Sequence, residues 1–294
     1  MLMGFLLPAF FMSQPDPDSS VYLGAFVTTT LLVSWTIALV TIGDTVPAYT
    51  TPLIMVVPAV VTLALRRIQG DSIIQTIKTS VSGTTGPALL FAVIYPVLFI
   101  GVAALVALSS GLGTYQPGAD NAISQVIKQG GIALVPVFIV LNMALMYGEE
   151  LGWRGYLLPQ LTARWGRVSA TAAVGVVWGL YHSAFLYTAA TVLGVANPLL
   201  VTVVQASAVF VVSFPFAYAY YLTDGSVLPV AILHLIWNIL NPWILGDIYG
   251  NVQGLVAGQI FVVNGEGVLG VVLGLVAAGG FVLVFKRGYR IPDS

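Results

Sequence analysis

The chain has 294 residues, 58% of them hydrophobic and only 7% charged, with a net charge of -1. A mean hydropathy of +0.97, carried by long apolar runs, marks an integral membrane protein rather than a soluble domain on an anchor. The near-neutral balance argues against nucleic acid as a partner, and zero cysteines exclude disulfides, thiolate chemistry and cysteine-held metals.

No polar stretch is long enough to fold separately, so residues 1–294 read as one membrane domain. Met1 to Met12 is apolar but has no basic start and is followed by Asp16 and Asp18. That pattern suits an interfacial or re-entrant piece better than a cleaved signal. Eight apolar segments follow, near 21–41, 50–65, 87–110, 131–152, 169–190, 199–222, 227–245 and 267–285. Each can cross a hydrocarbon core about 30 Å thick. Strand-like alternation is absent, so the spans are helices and the fold class is all-α, a polytopic membrane helix bundle. Between the second and third spans, Arg67 to Ser82 is polar enough to lie along the membrane surface as an amphipathic helix. Gly111 to Gly131 reads as a polar loop on the opposite side, and Gly270 and Gly274 give the last span a close-packing GxxxG face.

Charge placement supports this layout. Nine of the ten basic residues fall on one face, among them Arg66, Lys78, Arg164 and Lys286, and only Lys128 falls on the other. The positive-inside rule puts the basic face, and with it both termini, in the cytoplasm. No internal repeat is evident, which disfavours a transporter built from inverted halves.

In so apolar a chain, ionisable groups at membrane depth point to function. The run from Tyr147 to Leu158 holds Glu149, Glu150 and Arg154. Glu150 and Arg154 are spaced i,i+4 with the acid first, the favourable order for an ion pair on one helix face. Glu149 projects about 100° away and is then the carboxylate left to face a site. The plainer reading is that all three reach out of the helix end to water. The only two histidines, His182 and His234, lie within separate spans at depths that meet Glu149. Asn238 follows His234 by four residues on the same face, and Trp178 precedes His182 by four. Asn142, Gln205 and Asn241 read as interhelical packing glue. A carboxylate base, an imidazole and a His–Asn pair able to donate to an oxyanion suit attack of water on a carbonyl. The set Glu149, His182 and His234 equally suits a zinc ion.

Three motifs on successive segments resemble those of the CAAX-protease and bacteriocin-processing family of intramembrane endopeptidases, which includes the prenyl-protein CAAX endopeptidases. EExxxR is met by Glu149, Glu150 and Arg154, with Trp153 before the arginine and Gly155 and Leu157 after it. FxxxH is met by Trp178 and His182, with tryptophan in the aromatic place, and HxxxN by His234 and Asn238. The likeness covers roughly 145–242. It implies an eight-helix bundle open to the cytosol, in which Glu149 and His182 activate water and His234 and Asn238 stabilise the oxyanion. Glu150 and Arg154 would support them, without a cofactor. In the family's older metalloprotease reading, zinc is held by Glu149, His182 and His234. The resemblance also implies a peptide or protein substrate, prenylated or not, cut near the cytoplasmic membrane face. The chain's brevity suggests a prokaryotic plasma membrane. Trp178 departs from the family at a pocket wall and bears on pocket shape. The alternatives are a non-enzymatic scaffold or immunity-type protein of the same fold, a bis-histidine haem protein, or a proton-coupled transporter.

Overall fold

The computed structural model describes residues 19–42, 48–118, 122–248 and 251–287, so the apolar piece at 1–12 lies outside the described residues. The molecule is an all-α polytopic membrane bundle. Six helical stretches among the described residues are long and apolar enough to cross a bilayer.

The first is α1, Ser19–Ile42. A 3-10 turn at Ala48–Val56 then runs into α2, Val57–Ile68. Pro52 and Pro58 explain this tightened entry, because proline withholds the N–H that an α-helical turn would use. The surface helix expected over Arg67 to Ser82 is α3, Ile73–Val81, capped by Ser72. It is followed by α4, Gly86–Ser109. Strand β1, Gly113–Tyr115, and helix α5, Ala122–Gly130, fall in the polar loop.

The fourth and fifth expected spans lie in one helical stretch, 132–192, of 61 residues. It begins with α6, Val135–Gly152, passes through a π-helical turn at Trp153–Leu157, and continues as α7, Leu158–Val192. About 90 Å of straight helix would overshoot any bilayer. The stretch breaks at Gly166, whose φ of 73° and ψ of 169° reverse the chain. Only glycine takes that backbone without strain. Then follow α8, Pro198–Tyr221, and α9, Leu228–Leu245. Strand β2, Val256–Gly258, short α10, Ile260–Val263, and α11, Val268–Arg287, complete the chain. Strands β1 and β2 pair antiparallel, Gly113 opposite Gly258.

Glycines set the closest helix contacts. A Cβ on Gly179 of α7 would lie 2.8 Å from the Ala206 carbonyl oxygen of α8, and one on Gly175 only 3.0 Å from that of Phe210. Gly274 of α11 meets Val211 of α8 in the same way, the packing role its GxxxG spacing suggests. Basic side chains gather at one end of the bundle, where Arg66 lies over the Tyr156 ring and Arg167 over Tyr221. At the same end, the Val227 N–H donates to the Ser80 carbonyl and the Asp224 N–H to that of Gly83, which pins α3 against the α8–α9 turn.

Candidate active site

Three successive faces of α6 build the site. Gly148 and Gly152, one turn apart, lie against the start of α2; a Cβ on Gly152 would meet Pro58 Cβ at 2.4 Å. With that face fixed, Glu149 and Glu150 turn away from α2 by about 100° and 200°. Glu149 faces α7, where its Oε1 accepts a 2.6 Å hydrogen bond from Trp178 Nε1. Glu150 faces inward to α9, where its Oε1 lies 2.8 Å from His234 Nδ1.

Arg154 Nη1 donates to both Glu150 oxygens, at 3.1 and 2.9 Å, so the i,i+4 pair forms. Neither partner reaches water: Glu149 is 1% exposed, Glu150 and Arg154 0%. The arginine therefore does not belong to the surface charge at the basic end, where its place between the fourth and fifth expected spans puts it. Its guanidinium lies 4.1 Å from the Trp178 ring centroid and 4.8 Å from that of Phe216. Those ring faces attract a desolvated cation and replace part of its lost hydration.

The two histidines are oriented differently. His182 Nδ1 lies 2.9 Å from the Trp178 carbonyl oxygen. A carbonyl only accepts, so Nδ1 carries the hydrogen and neutral His182 presents a bare Nε2. That nitrogen stands 3.9 Å from Glu149 Oε1, too far for a direct hydrogen bond. His234 Nδ1 donates to the Glu150 carboxylate, so its Nε2 carries a hydrogen only as the imidazolium. Asn238, one turn on, spends one amide hydrogen on Met146 Sδ at 3.2 Å, a weak acceptor.

Glu149, Trp178, His182, His234 and Asn238 all line one cavity of about 370 Å³. Sequence reading underrates Trp178, which bonds the carboxylate directly as well as walling the pocket. The signal was available, since a buried indole N–H seeks a partner. Among the described residues, no three His, Asp or Glu side chains gather closely enough to hold a metal ion. Glu149, His182 and His234 therefore do not form a ligand set in this arrangement, and Glu150 occupies His234 Nδ1.

Sequence reading also misses Glu266, which lines the far end of the same cavity. It accepts from Gln205 Nε2 at 3.0 Å and from Trp237 Nε1 at 3.1 Å. Glu266 belongs to no motif, so only the folded chain brings it here.

An apolar helix bundle with a buried carboxylate, an imidazole and amide donors around one cavity defines a class, the polytopic membrane protein with an internal polar site. Residues 131–240 match the family model described as type II CAAX prenyl endopeptidase Rce1-like. CAAX prenyl protease 2 of Methanococcus maripaludis is 34% identical over 96 residues, which cover 31% of this chain and 34% of that protein. The chain thus matches about a third of the length of that curated relative. Over the matched segment, the chain is similar to type II CAAX prenyl endopeptidases.

Proposed function

We propose that this protein is an intramembrane endopeptidase in which Glu149 activates water for attack on a peptide carbonyl. The observation that carries the reading is the 3.9 Å gap between Glu149 Oε1 and His182 Nε2, inside a cavity also lined by His234 and Asn238. Both atoms across the gap accept hydrogen bonds, and a separation of that size suits a bridging water. Such a water would donate one hydrogen to each, leaving its lone pairs for a substrate carbon. Glu149 takes the proton as the oxygen attacks, while Trp178 Nε1 keeps the carboxylate in place. The second amide hydrogen of Asn238 and the Nε2 hydrogen of protonated His234 face the developing oxyanion. Glu150 is the counter-charge that orients His234, and Arg154 neutralises Glu150.

The family and the relative's name support a CAAX-type peptide or protein substrate, prenylated or not, and a membrane setting. The basic end supports a reaction in the cytoplasmic half of the membrane, which we place in a prokaryotic plasma membrane. The test is cleavage of a fluorogenic farnesylated CaaX peptide by purified wild type and by Glu149→Ala, each with and without a strong chelator. Cleavage lost in the variant and kept in chelator is the expected result. Loss in chelator with rescue by zinc would favour the metal reading, with Glu149, His182 and His234 drawn together around the ion. An alanine variant that cleaves as well as wild type would overturn the role of Glu149, and cleavage by neither protein would point to a non-enzymatic scaffold of the same fold.

A further inference from the structure

Asn142, Gln205 and Asn241 are expected to join helices, and Asn142 does not. Gln205 of α8 reaches Glu266 at 3.0 Å, and Asn241 of α9 reaches Asn264 at 3.2 Å. Asn142 of α6 instead donates to the Phe138 carbonyl of its own helix, at 2.8 Å, and lines the cavity that holds Glu149. That bond takes one of its amide hydrogens. The other hydrogen and the amide oxygen meet no hydrogen-bond partner among the described residues. A polar side chain at membrane depth that joins no helices points to a ligand in the cavity.

Its height in the cavity follows from how α6 and α9 pair. Glu150 meets His234, and Met146, one turn back on α6, meets Asn238, one turn on along α9. The two helices therefore run antiparallel. One more turn brings Asn142 level with Asn241 and Pro242, which line the same cavity. The Asn241 amide is already committed there, since its Oδ1 accepts from the Gly265 N–H at 3.0 Å. Asn142 and Glu149 lie on one face of α6, two turns or about 10 Å apart. A peptide chain covers that distance in about three extended residues.

Between them on α6, Leu145 and Met146 also line the cavity and offer a peptide group no strong partner. Main-chain N–H and C=O groups buried against such side chains are costly unless something nearby bonds them. A neutral amide carries both a donor and an acceptor, the complement of a peptide group rather than of a charge. We infer that Asn142 hydrogen-bonds a main-chain peptide group of the substrate about three residues from the bond cut. The substrate then lies extended between α6 and α9. The inference rests on the peptidase reading.

The test uses the full-length protein in detergent with the fluorogenic farnesylated CaaX peptide and a form of it extended at the C-terminus. In each analogue one backbone amide is replaced by an ester, which has no N–H, accepts more weakly and leaves every side chain unchanged. On wild type, one ester about three residues from the bond cut should lower kcat/KM about tenfold. N142L and N142A should each lose about as much on the parent peptide and no longer distinguish that ester from the amide. A substitution that only loosened α6 would leave the distinction intact. Esters without effect at that distance, or an effect that persists in both variants, would overturn the inference.

Binding of the same peptides to E149A, with and without N142L, separates the two ideas. An ester-sensitive position that N142L abolishes, with no Glu149-dependent cleavage by wild type, keeps the Asn142 site and overturns the peptidase reading. Glu149-dependent cleavage indifferent to every ester does the reverse.

Discussion

Trp178 holds two opposite charges at once. Its N–H donates to Glu149 while its ring face receives the Arg154 guanidinium. Phenylalanine, the family's usual residue at this place, could do only the second. In Trp178→Phe the carboxylate loses a charge-assisted hydrogen bond worth about 1.5–3 kcal/mol. The expected outcome is a folded protein whose cleavage rate falls about tenfold or more, with KM changed less than kcat; steady-state kinetics on a fixed peptide would show it. Arg154→Leu is a harsher change, because Glu150 would be left buried with His234 alone. Breaking a buried pair in this way costs about 3–5 kcal/mol. A large fall in thermal midpoint in detergent is expected, and Glu150→Gln added to Arg154→Leu should recover part of it. The polar residues of the site were legible because charge is so scarce in this chain. Their bonding was not, because Glu149 and Trp178 are 29 positions apart and meet only after α6 and α7 pack.

At the scale of the element, α6 works because it can lie hard against α2. The Gly148–Gly152 face allows that approach, and the next two positions are thereby committed to the cavity and to α9. Gly152→Ala puts a methyl group against the rigid Pro58 ring and its backbone, with Pro58 Cβ at 2.4 Å and the carbonyl carbon at 3.0 Å. Overpacking of this kind costs about 1–3 kcal/mol. The predicted result is a lower thermal midpoint and a larger loss of cleavage, since α6 must shift and take Glu149 with it. Hydropathy located the helices well, and the ends of α4, α8 and α9 fall within a residue of the apolar runs. It missed the π-helical turn at Trp153–Leu157, which has no signature in residue periodicity. It also missed the Gly175–Gly179 contact, although the spacing is the same as in the GxxxG it did find, because the packing partner on α8 cannot be read from one helix. Gly166 looked like any other glycine in a short linker until its backbone showed the reversal.

For the whole molecule, the basic end and the cavity lie in opposite directions from Glu149. The carboxylate sits one turn from the end of α6, while the cavity extends to Gly246, Asp247 and Glu266 beside the β1–β2 pair. Depth and access are therefore separate questions in this bundle. The chain has no cysteine, so single cysteines can report on each side without a background. With the basic end in the cytoplasm, Gln69→Cys should resist a membrane-impermeant maleimide applied to intact cells and Gln116→Cys should react. The reverse pattern would invert the bundle and place the site in the outer half.

The Glu150–Arg154 pair has a consequence for how the chain enters the bilayer. A charge that waits for a partner on another helix must cross apolar surroundings alone, whereas here both charges lie on consecutive turns of one segment. The pair is delivered as a neutral dipole before α7, α8 or α9 has left the ribosome. His234 then docks onto a carboxylate already in place. Arg154, fully buried in the finished bundle, is thus never an isolated cation.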